Sequence, residues 1–212
     1  MRLLSGKPLL VWSLATVKDL PSICDILVST DDEEIAAIAR AAGASAPWLR
    51  PKELSDDTAT SVDVALHALD RYEADVGKVD GLLLLQPTSP FRSRETVLRG
   101  LATFKACGQR PVVGVSPAQS HPLWCFRLEA GRLLPFCGES GKHLRSQDLP
   151  PAVIVNGAFY LISPKDLREF KSFYSEDMVP LLMEDLQESI DIDTEWDWKV
   201  AQMSANMRNS SG

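Results

Sequence analysis

Apolar residues along the chain fall into two rhythms. From Leu9 to Ala15 they recur at helical spacing behind Lys7-Pro8, which predicts a helix starting almost at the first residue. Asp25-Ile26-Leu27-Val28-Ser29 reads as a short buried strand, and Thr30 to Glu33 supplies a capping box for a helix over Glu33 to Ala42, closed by Gly43. Val62, Ala65, Leu66 and Leu69 form an apolar stripe behind the hydroxyls of Thr58 to Ser61, with His67 beside it. Leu82 to Leu85 leave no polar face, which predicts a central strand buried on both sides. Arg94 to Ala106 is the next helix, with Val97, Leu98, Leu101 and Phe104 inward and Gly108 as its stop, and Val112 to Val115 is the next strand. This alternation predicts an α/β fold of the Rossmann-like kind, a mostly parallel sheet with helices on both faces.

The rhythm breaks between Ser116 and Pro151. Trp124 to Phe136 reads as a hairpin turning at Glu129-Ala130-Gly131, and its Trp124, Phe126 and Phe136 would be costly in water unless another subunit covers them. The core resumes with the strand Val153 to Ile162 and a helix begun by Ser163-Pro164. Pro180 restricts Met178 to Met183 to an edge strand. Thr194 and Asp197 have capping-box spacing for a last helix through Met203, and Met207 to Gly212 reads as a frayed tail.

A chain of 212 residues fits one domain, with residues 117–151 as an insertion. Its formal charge of −7, with no basic run, argues against a nucleic-acid or anionic-membrane partner. Cys24, Cys107, Cys125 and Cys137 are scattered without a Cys-x-x-Cys pair, so reduced thiols in a cytoplasm are expected. The apolar run Leu9 to Val17 is followed by Lys18-Asp19 and lacks the small-residue cleavage site of a signal peptide.

Two stretches carry candidate chemistry. Gln86-Pro87-Thr88-Ser89-Pro90-Phe91-Arg92 leaves the central strand as a proline-stiffened loop of hydroxyls, an amide and a cation, at the carboxyl end where α/β sheets bind ligands. It suits sugar hydroxyls and phosphates, or is a stiff polar loop and nothing more. In Asp191-Ile192-Asp193 the strand period turns both carboxylates to one face, where magnesium would relieve their repulsion. Alternatively Asp193 caps the next helix and Asp191 is solvated.

Leu-Leu-Gln-Pro-Thr-Ser-Pro-Phe-Arg, ending at Arg92, resembles the central motif of CMP-sialic acid synthetases, the N-acylneuraminate cytidylyltransferases. Arg50-Pro51-Lys52-Glu53-Leu54, Asp57 to Ser61, Asn156-Gly157-Ala158-Phe159-Tyr160 and Ser189 to Glu195 follow that family's order over nearly the whole chain. The resemblance implies transfer of CMP from CTP to a nine-carbon keto-sugar acid, in a homodimer built on the hairpin insertion. It implies that Arg50 and Ser61 hold the cytidine, that Thr88 binds the nucleotide and faces the sugar, that Gln86, Arg145, Asn156 and Tyr160 face the sugar, and that Gln86, Asp191 and Asp193 are the catalytic residues. Magnesium would sit on Asp191 and Asp193. Two departures qualify this. The family's basic, glycine-containing phosphate loop and its strand have no counterpart ahead of Gly6, which predicts weak CTP binding and a gap in the sheet. Val153-Ile154-Val155 replaces an aromatic and an arginine, leaving the choice of acid open. The other readings are a non-catalytic assembly subunit and the eight-carbon Kdo enzyme, against which Gln-Pro-Thr-Ser-Pro counts.

Overall fold

The computed structural model describes residues 2–56, 58–137 and 144–210. Asp57 of the Asp-Thr-Ala-Thr-Ser motif and the 138–143 stretch of the insertion lie outside the described residues. A small hairpin, β1 (Leu3–Leu4) and β2 (Lys7–Pro8), leads into α1 (Leu9–Val17), as the apolar spacing predicts. Then come α2 (Glu33–Ala41), α3 (Ser61–Asp75), β3 (Leu82–Leu84), α4 (Arg94–Ala106) and β4 (Val112–Pro117). The hairpin β5 (Phe126–Glu129) and β6 (Arg132–Pro135) precedes β7 (Val153–Ile162), α5 (Pro164–Phe170), β8 (Val179–Leu182) and α6 (Glu195–Ser210).

The main sheet runs β3-β7-β4-β8. Its α/β class stands, but the sheet is mixed rather than mostly parallel. β4 and β8 pair parallel, while β7 lies between β3 and β4 and runs against both. The reason is the insertion: the chain leaves β4 at one end and re-enters from that same end, so no crossover restores the direction. β3 is therefore an outer strand, not the central one its apolar run predicts.

Strand alternation sorts the core into two layers. Val112, Phe159, Leu161 and Leu181 face α1 and α4 through Val17, Val97 and Phe104. Val113, Tyr160 and Ile162 face α3 and α5 through Ala65, Leu69 and Leu167. Each such side chain, fully buried, contributes about 1.5–3 kcal/mol. A third cluster joins α6 to the loop after β3 through Trp198, Ala201, Phe91, Ile190 and Ile192. Leu98, expected inward, is 44% exposed on the outer face of α4.

Beyond β3 the sheet is interrupted. Ile26 to Val28 makes one parallel bridge, Leu27 to Ser45, rather than a strand of the sheet. Between that segment and β3 lies a groove of about 900 Å³, closed by α1 on one side and α3 on the other. The Ser29 hydroxyl is buried there without a hydrogen-bond partner among the described residues.

Caps follow local chemistry. Thr60 and Asp63 form the box that starts α3, Ser163 caps α5, and Thr194 with Asp197 starts α6. For α2 the cap is Asp32, whose carboxylate accepts from the Glu34 and Ile35 amides. The last helix runs to Ser210, so most of the expected tail is helical.

Candidate active site

Three segments meet at the carboxyl end of β3. The first is the loop Gln86 to Arg92, closed by the Ser89 amide donating to the Gln86 carbonyl at 3.2 Å. Ser89 and Phe91 are fully buried, and Phe91 meets Trp12 edge-on at 5.7 Å. The loop is therefore anchored by packing rather than left free.

The second segment is a bulge in β7. Val113 pairs with Tyr160 but Val115 pairs with Val155, so Asn156 to Phe159 all stand opposite Gly114. Asn156 stitches the bulge: its Oδ1 accepts from the Ala158 amide at 3.1 Å, and its Nδ2 donates to Ser116 Oγ at 2.9 Å. The bulge pushes Gly157, at φ +74°, toward the loop. A Cβ there would stand 3.0 Å from Asp191 Oδ2 and 3.3 Å from Gln86 Oε1.

The third segment is Ile190 to Asp193. It joins no ladder, yet its alternation holds: Ile190 and Ile192 pack under α6, and the Ile192 amide donates to the Thr88 carbonyl at 2.9 Å. Asp191 is thereby turned into the site, where Ser89 Oγ donates to its Oδ1 at 3.3 Å. Asp193 is exposed, and its amide joins the α6 cap by donating to Asp197 Oδ2 at 3.3 Å.

Of the residues singled out from sequence, Arg50, Ser61 and Gln86 share the wall of the large groove. Ser61, Gln86 and Tyr160 share a second cavity of about 260 Å³ with Lys171, Ser172, Phe173 and Tyr174. Gln86 and Ser61 thus stand on the seam between two cavities. The Tyr160 hydroxyl lies 3.4 Å from that of Tyr174, and burial, then this contact, raises its pKa above the usual phenol value. Arg50 is held by Ser55 at 3.2 Å and by Asp31 at 3.4 Å.

Other expected roles are not carried by the geometry. Asn156 spends its amide on the bulge and lines neither cavity. Thr88 offers its carbonyl to Ile192 and likewise lines neither. Arg145 is exposed, pairs with Asp148 at 2.9 Å, and lines neither. Arg92, read from the loop as a cation for phosphates, is only 2% exposed and bonds inward. Gly157 had no role in the sequence reading; an interior strand glycine was the available signal for a bulge.

Asp191 and the bulge offer an oxygen-lined niche that a side chain at position 157 would fill. Among the described residues no group of three or more His, Cys, Asp or Glu is gathered as a metal cage. That donor set fits magnesium, which keeps waters and uses one or two carboxylates, better than a fully caged ion.

A mixed α/β sheet carries a loop-and-carboxylate site beside two adjoining cavities, and comparison with known proteins places it among the nucleotidyltransferases. The profile of the Cytidylyltransferase family matches residues 1–116, and the chain belongs to that family. It is 38% identical over 213 residues to CMP-N,N'-diacetyllegionaminic acid synthase of Legionella pneumophila, covering 95% of this chain and 86% of that one. It is 29% identical to pseudaminic acid cytidylyltransferase of Campylobacter jejuni, over 97% of this chain and 88% of the relative. It is 28% identical to N-acylneuraminate cytidylyltransferase of Escherichia coli, over 94% of this chain and 46% of the relative. A solved CMP:2-keto-3-deoxy-manno-octonic acid synthetase complexed with CTP shares the fold, with a TM-score of 0.69 at 12% identity over 98% of this chain and 91% of that one.

Proposed function

We propose that the protein transfers CMP from CTP to the anomeric hydroxyl of a nine-carbon keto-sugar acid. The observation that supports this most is that Gln86, which lines both cavities, meets Asp191 across the position a Gly157 side chain would take, with Ser89 donating to the same carboxylate. The larger groove, with Arg50 and Ser61, would take the nucleotide, and the smaller cavity, with Tyr160 and Tyr174, would take the sugar. The sugar oxygen forms a bond to the α-phosphorus, the bond from that phosphorus to the bridging oxygen breaks, and pyrophosphate leaves. The hydroxyl proton passes to solvent. Gln86, held on the seam, orients the hydroxyl, and the bulge holds Asp191 facing it.

Asp191, with Asp193, would hold magnesium, which when bound neutralises charge building on the phosphates. Arg145 would meet the sugar carboxylate only after the insertion is brought over a neighbouring site. This suits a homodimer formed through the hairpin, where Leu128, Leu133 and Phe136 are exposed. The cysteines of this structure are free, which suits the cytoplasm.

The relative with 38% identity makes N,N'-diacetyllegionaminic acid the first acid to test. Pyrophosphate release from CTP and magnesium would be followed with that acid, pseudaminic acid, N-acetylneuraminic acid and Kdo. Turnover is expected with one or more of the nine-carbon acids and not with Kdo. Turnover with Kdo alone, or with none, overturns the reading.

A further inference from the structure

Arg92 is the one strongly buried cation among the described residues, and the reaction outlined above gives it no task. Its guanidinium reaches three segments at once. Nε donates to the Ala158 carbonyl at 2.7 Å, Nη2 to the Gln86 carbonyl at 2.6 Å, and Nη1 to Ser13 Oγ at 2.9 Å. Ala158 adjoins Gly157 at the bulge, Gln86 stands on the cavity seam, and Ser13 lies on α1. A planar fork with fixed donor directions therefore sets the separation of the two strands whose loops make the site. Asp191 and Glu188 lie close enough to act on its charge. Glu188, itself buried, accepts from the Ser93 amide at 2.5 Å and from Thr96 Oγ1 at 2.9 Å, which locks the backbone next to Arg92 to the start of α4.

We infer that Arg92 is a positioning residue. Without touching either substrate, it holds the Gln86 loop and the Ala158 end of the bulge at the spacing that brings Gln86 and Asp191 together across Gly157. This rests on the function proposed above. A lysine would keep the charge but present one nitrogen where the structure uses three, so the spacing would relax. Because Arg50 and Ser61, which would hold the base, do not depend on the clamp, the expected effect falls on kcat and not on KM for CTP.

The test compares Arg92→Lys with Val97→Ala, a cavity-forming change in the core cluster under α4. Both would be assayed well below their melting temperatures. Arg92→Lys should lose about 10- to 100-fold in kcat, the scale set by small misplacements in a reacting site, with KM for CTP within about threefold. Val97→Ala should keep kcat within about threefold even with an equal drop in melting temperature. An Arg92→Lys loss no greater than that of Val97→Ala, or one lying wholly in KM for CTP, overturns the inference. Should Arg92→Lys fail to fold, Ser13→Ala, which removes the Nη1 acceptor together with that hydroxyl's own 3.5 Å bond to the Gln86 carbonyl and leaves the guanidinium, must lower kcat with KM for CTP within about threefold, and an unchanged kcat or a loss wholly in KM overturns it. A wild-type protein inactive with every nine-carbon acid would sink the functional reading instead. The clamp would then be judged by the crystal structure of Arg92→Lys, where unmoved Gln86 and Ala158 carbonyls refute it and displaced ones uphold it.

Discussion

A single methyl group at Gly157 would separate backbone strain from disruption of the site. Gly157 has φ +74°, where a side chain costs about 1–2 kcal/mol. For a chain of this size that cost lowers the melting temperature by roughly 2–8 °C. Gly108, at φ +72° with nothing within 4 Å of a Cβ, meets the same backbone cost and no contact. At Gly157 the new carbon also stands 3.0 Å from Asp191 Oδ2 and 3.3 Å from Gln86 Oε1, so both groups must give by a few tenths of an ångström. A displacement of that order in a reacting constellation is expected to reduce kcat by about 10- to 100-fold. Gly157→Ala and Gly108→Ala should therefore melt at similar temperatures in calorimetry. Only the first should lose pyrophosphate release. If Gly157→Ala turns over within twofold of the parent, or if Gly108→Ala loses as much, the bulge does not set the site and the account of its geometry is wrong.

Asp191→Asn should keep the fold by circular dichroism and lose about 10²- to 10³-fold in kcat, whereas Asp193→Asn, at the more exposed of the two carboxylates proposed to hold magnesium, should cost less; an unchanged kcat in both variants would overturn the metal assignment. Gly100 faces the Phe159 ring, which a Cβ would meet at 2.3 Å, so Gly100→Ala should destabilise by about 1–3 kcal/mol in urea titration although alanine favours helices. The Asp197 carboxyl is held below its usual pKa, first by the Thr194 hydroxyl and then by the Thr194 amide. Its share of stability is present above the unfolded pKa and lost as pH falls through the lower folded one. The protection factor of the Thr194 amide, its exchange rate relative to the unfolded chain at the same pH, should thus fall in acid, and Asp197→Asn should abolish that dependence. Leu128→Ser with Leu133→Ser should shift sedimentation toward monomer without lowering the melting temperature of the monomer; an unchanged profile argues against the hairpin as the dimer surface.

Local chemistry was the most legible part of the chain. The boundaries of α4, the caps of α3, α5 and α6, and the hairpin at Ala130-Gly131 follow from short patterns whose partners lie within a few residues. Strand order did not follow, because Leu82 to Leu85 reads the same whether its outer neighbour is a strand or a groove. The direction of β7 depended on where the insertion returns the chain, which no periodicity records. At the site, Gln86 and Asp191 were legible as polar residues at the end of apolar runs. Arg92 and Asn156 bond inward in the structure, and one reason hid this. A polar side chain beside a loop looks equally suited to a ligand or to the protein's own polar groups, and only the folded arrangement shows which groups each one meets.

Pro180 sits in the middle of β8, the outermost strand beside β4. The Val179 and Met183 amides donate inward, to the carbonyls of Pro111 and Val115, so alternation turns position 180 outward. The imino acid therefore takes nothing from the ladder it belongs to. It removes a donor from the rim, and a stray chain seeking to extend the sheet there would find its own carbonyl unanswered, a built-in guard against fibrous growth.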